Sequence, residues 1–234
     1  MKKVVIHPDY EFCSDFIDCL PDIFHTEGKT IFKARNELKI FEQLGLALVV
    51  KSFKITHFIN KVAYSTLRSS KAERAYRHAL ILIEKGISTP TPVAYIEIRK
   101  YGLLFNSYFV SLKSRFHREF REISDSPDLP EAYPVLIDFA RFTADLHRKN
   151  IFHNDYTPGN ILLGKIGGGY DFDLVDINRM KFCQVTMKMG CWNLRNLYIA
   201  EDQYILIARQ YAQSRGFDPD HCEKLVLKYA AHSR

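Results

Sequence analysis

The chain contains no apolar run approaching the roughly 18 residues needed to cross a bilayer. Its opening MKKVVIHPDY carries two lysines, but the apolar stretch behind them is too short for a secretion signal. The expected location is therefore the cytosol, either free or peripheral at the inner face of the cytoplasmic membrane. Cys13, Cys19, Cys183, Cys191 and Cys222 include no C-x-x-C pair, and an odd number argues against a disulfide framework. The nine histidines show no zinc-ligand spacing, which speaks against a structural metal site. Internal repeats and low-complexity segments are absent. So is a G-x-G-x-x-G loop, the usual glycine-rich cover for phosphates.

What is present is an ordinary globular composition: 234 residues, 47% hydrophobic and 26% charged. That length can bury a large core in one domain or one two-lobed unit. The net charge of +6 favours an anionic partner, although charge alone does not choose among nucleotide, phosphorylated lipid and nucleic acid.

The informative stretch is IFHNDYTPGNILL, residues 151–163, where His153, Asp155 and Asn160 stand as H-x-D-x-x-x-x-N between apolar runs. Such a pattern reads as a buried segment opening into a polar loop and then a short strand. The chain returns with FDLVD, ending at Asp176, and Gly167, Gly168 and Gly169 supply a turn between the two. A hairpin there would bring Asn160 and Asp176 together. Phosphoryl transfer needs a carboxylate to orient and deprotonate a hydroxyl, and hard oxygen ligands for magnesium. Asp155 suits the first role; Asn160 and Asp176 suit the second. Asp and Asn alone would signify only turns; the full spacing is what points to a site.

HNDYTPGN resembles the catalytic loop of the atypical, protein-kinase-like small-molecule kinases, often read HGDLHPGN. DLVDINRMKF resembles the metal-binding segment of the lipopolysaccharide kinase family, which phosphorylates heptose or Kdo sugars of the lipopolysaccharide core. The likeness runs from about residue 29 to about residue 197 and is strongest over 146–182. It implies an α+β, protein-kinase-like two-lobed fold. An irregular lead-in (1–23) would precede a small β-rich N-lobe (24–111) and a mostly helical C-lobe (112–234). It also implies that His153 braces the loop rather than acting as a base.

Residues 31–41 and 44–55 are β-prone and suggest a hairpin and a third strand. With no glycine-rich loop, Gly28 or the turn at 34–36 is left to cover the nucleotide phosphates. Lys51, between Val49, Val50 and Phe53, is the candidate to hold the α- and β-phosphates, with Lys54 as fallback. Residues 70–85 have a helical apolar stripe. Glu73 on it would orient Lys51, or else pair with Arg77 at i,i+4 on the surface. Two strands (92–98 and 103–112) should end at a hinge whose backbone near 108–111 contacts adenine. Lys113, Arg115, Arg118 and Arg121 then crowd together, as a solvated charged face or as a basic rim for a phosphorylated acceptor. Residues 125–134 read as a loop, and 133–149 as an amphipathic helix delivering the chain to the motif. Helices are expected at 194–199, 203–215 and 219–232, the last capped by Asp218 and Pro219.

The function expected is ATP- and Mg2+-dependent phosphorylation of a hydroxyl on a lipopolysaccharide core sugar or lipid A. The partners would then be ATP and an anionic glycolipid or sugar, without nucleic acid. Two alternatives remain: a kinase of another small hydroxyl compound, aminoglycoside-like or choline-like, and a catalytically silent kinase fold that serves as a binding module.

Overall fold

The computed structural model describes residues 1–34, 36–54, 69–101 and 103–232. They form two compact units, Met1–Glu84 with Pro90–Ser114, and Lys85–Thr89 with Arg115–Arg234. Arg35, in the turn proposed as a phosphate cover, and Gly102 lie outside the described residues, as does the side chain of Lys54.

The first unit is built on one six-stranded sheet in the order β1-β5-β6-β4-β3-β2. Its strands are β1 (Lys2–Ile6), β2 (Lys29–Lys33), β3 (Glu37–Gln43), β4 (Leu46–Lys54), β5 (Pro92–Lys100) and β6 (Leu103–Leu112), all paired antiparallel. Side chains alternate between faces, so Leu48 and Val50 leave β4 on one side and Phe53 on the other. Helix α1 (Ser14–Ile23) lays Ile17 and Leu20 on the first side, against Leu48, Val50, Ile96 and Val110. Helix α2 (Lys71–Glu84) sets Ala72 and Tyr76 on the second, against Phe53 and Tyr95. Each large apolar side chain so buried contributes about 1.5–3 kcal/mol.

The expectation of an irregular lead-in over 1–23 is corrected by this arrangement. Residues 2–6 pair with β5 from Lys2↔Ile98 to Ile6↔Ala94, and 14–23 are helical. The strand partner is remote in sequence, and Pro21 inside α1 interrupts the helical pattern. The adenine expectation is corrected too. Backbone groups of residues 108–111 sit in the middle of the sheet, laddered to β4 and β5 on either side.

The second unit is mostly helical, with α3 (Arg121–Asp125), α4 (Ala132–Arg148), α5 (Met187–Asn193), α6 (Glu201–Arg215) and α7 (Pro219–Ala231). Two small sheets accompany them. One joins β7 (Arg118–Glu119), β9 (Ile161–Ile166) and β10 (Gly169–Leu174); the other joins β8 (Ile151–Phe152) to β11 (Lys181–Phe182). Val135, Leu136, Phe139, Ala140 and Ala144 of α4 are fully buried. Phe139 lies between Phe120 and Phe172, at ring distances of 4.5 and 5.4 Å. The helix expected at 194–199 is only a 3-10 turn over Leu194–Asn196, directly following α5 (Met187–Asn193), which Thr186 caps by accepting the N–H of Met189. Asp218 caps α7 as expected, accepting from His221 N at 2.7 Å.

Gly28 precedes β2 with φ +76°, and a Cβ there would stand 2.6 Å from the Phe41 ring. Gly45, at φ +77°, has open space around it. Gly28→Ala should therefore cost about 2–4 kcal/mol, from backbone strain plus overpacking, and Gly45→Ala about 1 kcal/mol. Urea unfolding of both variants checks this; equal losses would show that Phe41 moves aside without cost.

Candidate active site

The motif of residues 153–160 is held at both ends by short ladders. Before it, β8 pairs with β11; after it, β9 pairs with β10, with Leu174 opposite Ile161. The hairpin expected from the glycine turn is thus present, and it sets Asn160 and Asp176 at neighbouring ends of two paired strands. A strap from the start of this unit secures β10: Leu174 N donates to Ser88 O at 3.1 Å, and Thr89 Oγ1 to Leu174 O at 2.7 Å.

His153 ties the two chain segments together. Its Nδ1 accepts the Asp155 N–H at 3.1 Å, so the proton resides on Nε2, which donates to Val175 O at 3.0 Å. The ring is fully buried, and burial lowers its pKa although the nearby carboxylates of Asp176 and Asp155 pull the other way. It is therefore a neutral brace. Asn160 completes the link: its Nδ2 donates to Asp155 O at 2.8 Å and to Thr157 Oγ1 at 3.2 Å, while its carbonyl accepts the Val175 N–H at 3.0 Å. With both amide hydrogens used within the loop, Oδ1 is the atom Asn160 can offer to a cation.

Asp176 adopts φ 52°, ψ 43°, a left-handed conformation costly for a non-glycine residue, and its Oδ1 accepts from Asn178 Nδ2. Asp155 and Asp176 are both half-buried. Beneath the loop, Tyr156 and Pro158 are buried; the Tyr156 ring stacks on Phe139 and its hydroxyl meets Thr143 Oγ1 at 2.8 Å. Burial raises the Tyr156 pKa, so this phenol stays protonated.

The other two candidates belong to the first unit. Lys51 lies on β4, on the α2 side of the sheet, its Nζ 5.3 Å from the Phe53 ring centre. Glu73 stands in the first turn of α2 and is almost buried. Its Oε1 accepts from Arg77 at 2.8 Å and faces Lys3 at 3.9 Å, so the i,i+4 pair foreseen as the alternative is formed. Of the expected basic rim, Arg115 pairs with Asp171 at 3.0 Å and Arg118 with Glu122 and Glu131 at 2.8 and 3.2 Å. Arg121 faces Glu119 at 3.4 Å, and its guanidinium packs over Gly159 where a Cβ would intrude. The charges of this rim are therefore largely compensated.

The architecture is similar to that of WaaP in complex with acyl carrier protein, with a TM-score of 0.68 at 17% identity, over 99% of this chain and 99% of that one. The fold is protein-kinase-like. A structure of WbdD with the kinase inhibitor LY294002 aligns at TM-score 0.47 and 14% identity, over 86% of this chain and 44% of WbdD. No family model and no curated protein sequence matches the chain.

In this kinase-like setting one feature went unread in the sequence. Asn193, on α5, donates its Nδ2 to the carbonyl of His153 at 2.9 Å. Its Oδ1 accepts from His147 Nε2 at 3.0 Å, so His147 Nδ1 must accept the Tyr211 hydroxyl, at 2.9 Å. These three buried side chains come from α4, α5 and α6, and form a polar line through the core that ends on the loop of residues 153–160. Residues 46 and 64 positions from His147 carry no local signal of such a contact.

Burial lowers the His147 pKa to about 4. Because the folded value lies below the unfolded one near 6.5, the folded state binds fewer protons between those two values. Stability is then full above the unfolded pKa and is lost as pH falls toward the folded pKa. Lowering the pH from 7 to 5 should cost about 2 kcal/mol through this group. His147→Gln should flatten that slope in urea titrations at the two pH values. An unchanged slope would mean His147 is not buried in the neutral form.

Proposed function

We propose that the protein is an ATP- and magnesium-dependent kinase that phosphorylates a hydroxyl of a lipopolysaccharide core sugar or of lipid A. The observation that carries this reading is the hydrogen-bonded closure of Asp155, Asn160 and the segment before Asp176 around the neutral His153 ring. Magnesium takes hard oxygen ligands and needs only one or two from the protein. Asn160 Oδ1 and the Asp176 carboxylate fit that demand, since Asn160 has committed its hydrogens elsewhere. When bound, the ion would neutralise charge on the transferring phosphates.

The remaining work falls to the chain itself. Asp155 would accept a hydrogen bond from the acceptor hydroxyl, orient it and take its proton as the new bond to phosphorus forms. Lys51 would supply positive charge to the α- and β-phosphates, and Glu73 would help fix the α2 side of that lysine's surroundings. Tyr156, packed from beneath, holds the loop so that Asp155 does not have to reorganise. The acceptor class rests on the likeness of DLVDINRMKF to lipopolysaccharide kinases, and the similarity in fold to WaaP supports it. WaaP is found with acyl carrier protein, so that carrier is a partner to assay for this chain as well. No helix among the described residues is long and apolar enough to cross a membrane. Access to a lipid-linked acceptor would then be peripheral.

Asp155→Asn should lower kcat by about 10²–10⁴-fold while Mg-ATP affinity is kept, because the residue acts on the acceptor. Asp176→Ala should instead weaken Mg-ATP binding, having lost a charged metal ligand. Calorimetric titration with Mg-ATP, beside turnover assays on lipopolysaccharide core oligosaccharide, separates the two. Full activity in Asp155→Asn would remove it from the mechanism. Unchanged Mg-ATP affinity in Asp176→Ala would place the metal elsewhere.

A further inference from the structure

Most arginines of the second unit are answered by carboxylates: Arg115, Arg118, Arg121, Arg141, Arg148 and Arg209 all form ion pairs. Arg179, Arg195 and Arg215 pair with no carboxylate among the described residues. Arg215 donates to Val185 O and lies against Tyr211 and Phe217, whereas Arg195 through Trp192 and Arg179 through its own carbonyl are joined to the chain just before Asp155. Arg195 is stacked on Trp192, its guanidinium carbon 3.2 Å from the ring centre, and its Nη1 donates to Trp192 O at 2.9 Å. A guanidinium fixed in this way has lost its freedom in advance and keeps its other N–H groups for a ligand. Burial without a carboxylate lowers its pKa, the mark of a cation held short of compensation.

The route from this pair to the loop is short. Trp192 stacks on Phe152 at 6.0 Å, and Phe152 immediately precedes His153. Asn193, the neighbour of Trp192, holds the His153 carbonyl. On the other side, the exposed Arg179 accepts at its own carbonyl from Asn154 Nδ2 at 2.5 Å, one residue before Asp155.

We propose that Arg195, carried on Trp192, forms with Arg179 a subsite for a phosphomonoester already present on the acceptor. The subsite would select acceptors that bear an anion near the hydroxyl to be phosphorylated. It takes the place of the Arg115, Arg118 and Arg121 rim, whose charges are spent on carboxylates. Calling the ligand an acceptor rests on the kinase reading; the binding of a phosphomonoester does not.

Trp192 is the sole tryptophan of the chain and is 39% exposed, so its emission reports directly on Arg195. Titration of the intact protein, without nucleotide, with glucose 6-phosphate should give a saturable emission change. Glucose, and sodium chloride at matched ionic strength, should give none. Arg195→Ala should weaken the binding about tenfold or more, the worth of one charge-assisted contact. Arg195→Lys keeps charge but cannot stack flat, so it should weaken binding too, and it serves if the alanine variant does not fold. Arg179→Ala should also raise the dissociation constant.

No response to glucose 6-phosphate, or an equal response in the Arg195 variants, would overturn the subsite. A response confined to vesicles of phosphatidylglycerol in phosphatidylcholine would assign these arginines to a membrane surface and likewise overturn it. If the subsite fails while Mg-ATP still binds, the kinase reading stands without it; if Mg-ATP binding fails while glucose 6-phosphate binds, only the kinase reading falls.

Discussion

The candidate site depends on one buried imidazole kept neutral. His153 can accept from the Asp155 N–H and donate to Val175 O only as the Nε2–H tautomer. A protonated ring could not accept that N–H, and it would place a charge in a fully buried position. Everything near the site follows from those two bonds. They fix the turn that presents Asp155 and the strand end that presents Asp176, and Asn160 closes the gap between them. Neither carboxylate needs a salt bridge with the other's segment. The backbone does the joining, and both side chains are half-buried.

Around that brace the second unit arranges its polar groups by a consistent rule. Groups that touch the loop from below are buried, neutral and hydrogen-bonded: Tyr156 with Thr143, and His147 with Asn193 and Tyr211. Most arginines at the periphery are paired with neighbouring carboxylates, at exposures where each pair is worth little to stability. Arg179, Arg195 and Arg215 are the exceptions: the first two are joined to the chain just before Asp155, and the third lies against Tyr211 and Phe217. The first unit has a different economy of burial: its sheet is covered on both faces by α1 and α2, which leaves its central strands as rigid supports for Lys51.

Much of this was legible in the sequence, and the parts that were not have physical reasons. The H-x-D-x-x-x-x-N spacing, the apolar frames and the glycine turn announced the loop and its hairpin because all of these act over a few residues. The strands of the first sheet were visible from β-branched and aromatic runs. By contrast, β1 is a five-residue edge strand whose partners lie 88 to 96 positions away, from Ile6↔Ala94 to Lys2↔Ile98, so its own residues carry little signal. Asn193 is a helix residue like any other until the fold sets it under the His153 carbonyl. The arginine cluster stayed open between a solvated charged face and a basic rim for the opposite reason. Arg115, Arg118 and Arg121 stand close together in the chain, but Asp171, Glu131 and Glu119 answer them, and only the fold shows the first two of those meetings.

The central claim is that the loop closed by His153 transfers phosphate to an envelope glycolipid. Mass spectrometry of envelope lipids from cells with and without the gene tests it most directly. The account predicts a lipopolysaccharide core or lipid A species that lacks one phosphate when the gene is removed. That phosphate should return with the wild-type gene and not with one encoding Asp155→Asn. Identical lipid profiles in all three strains would contradict it.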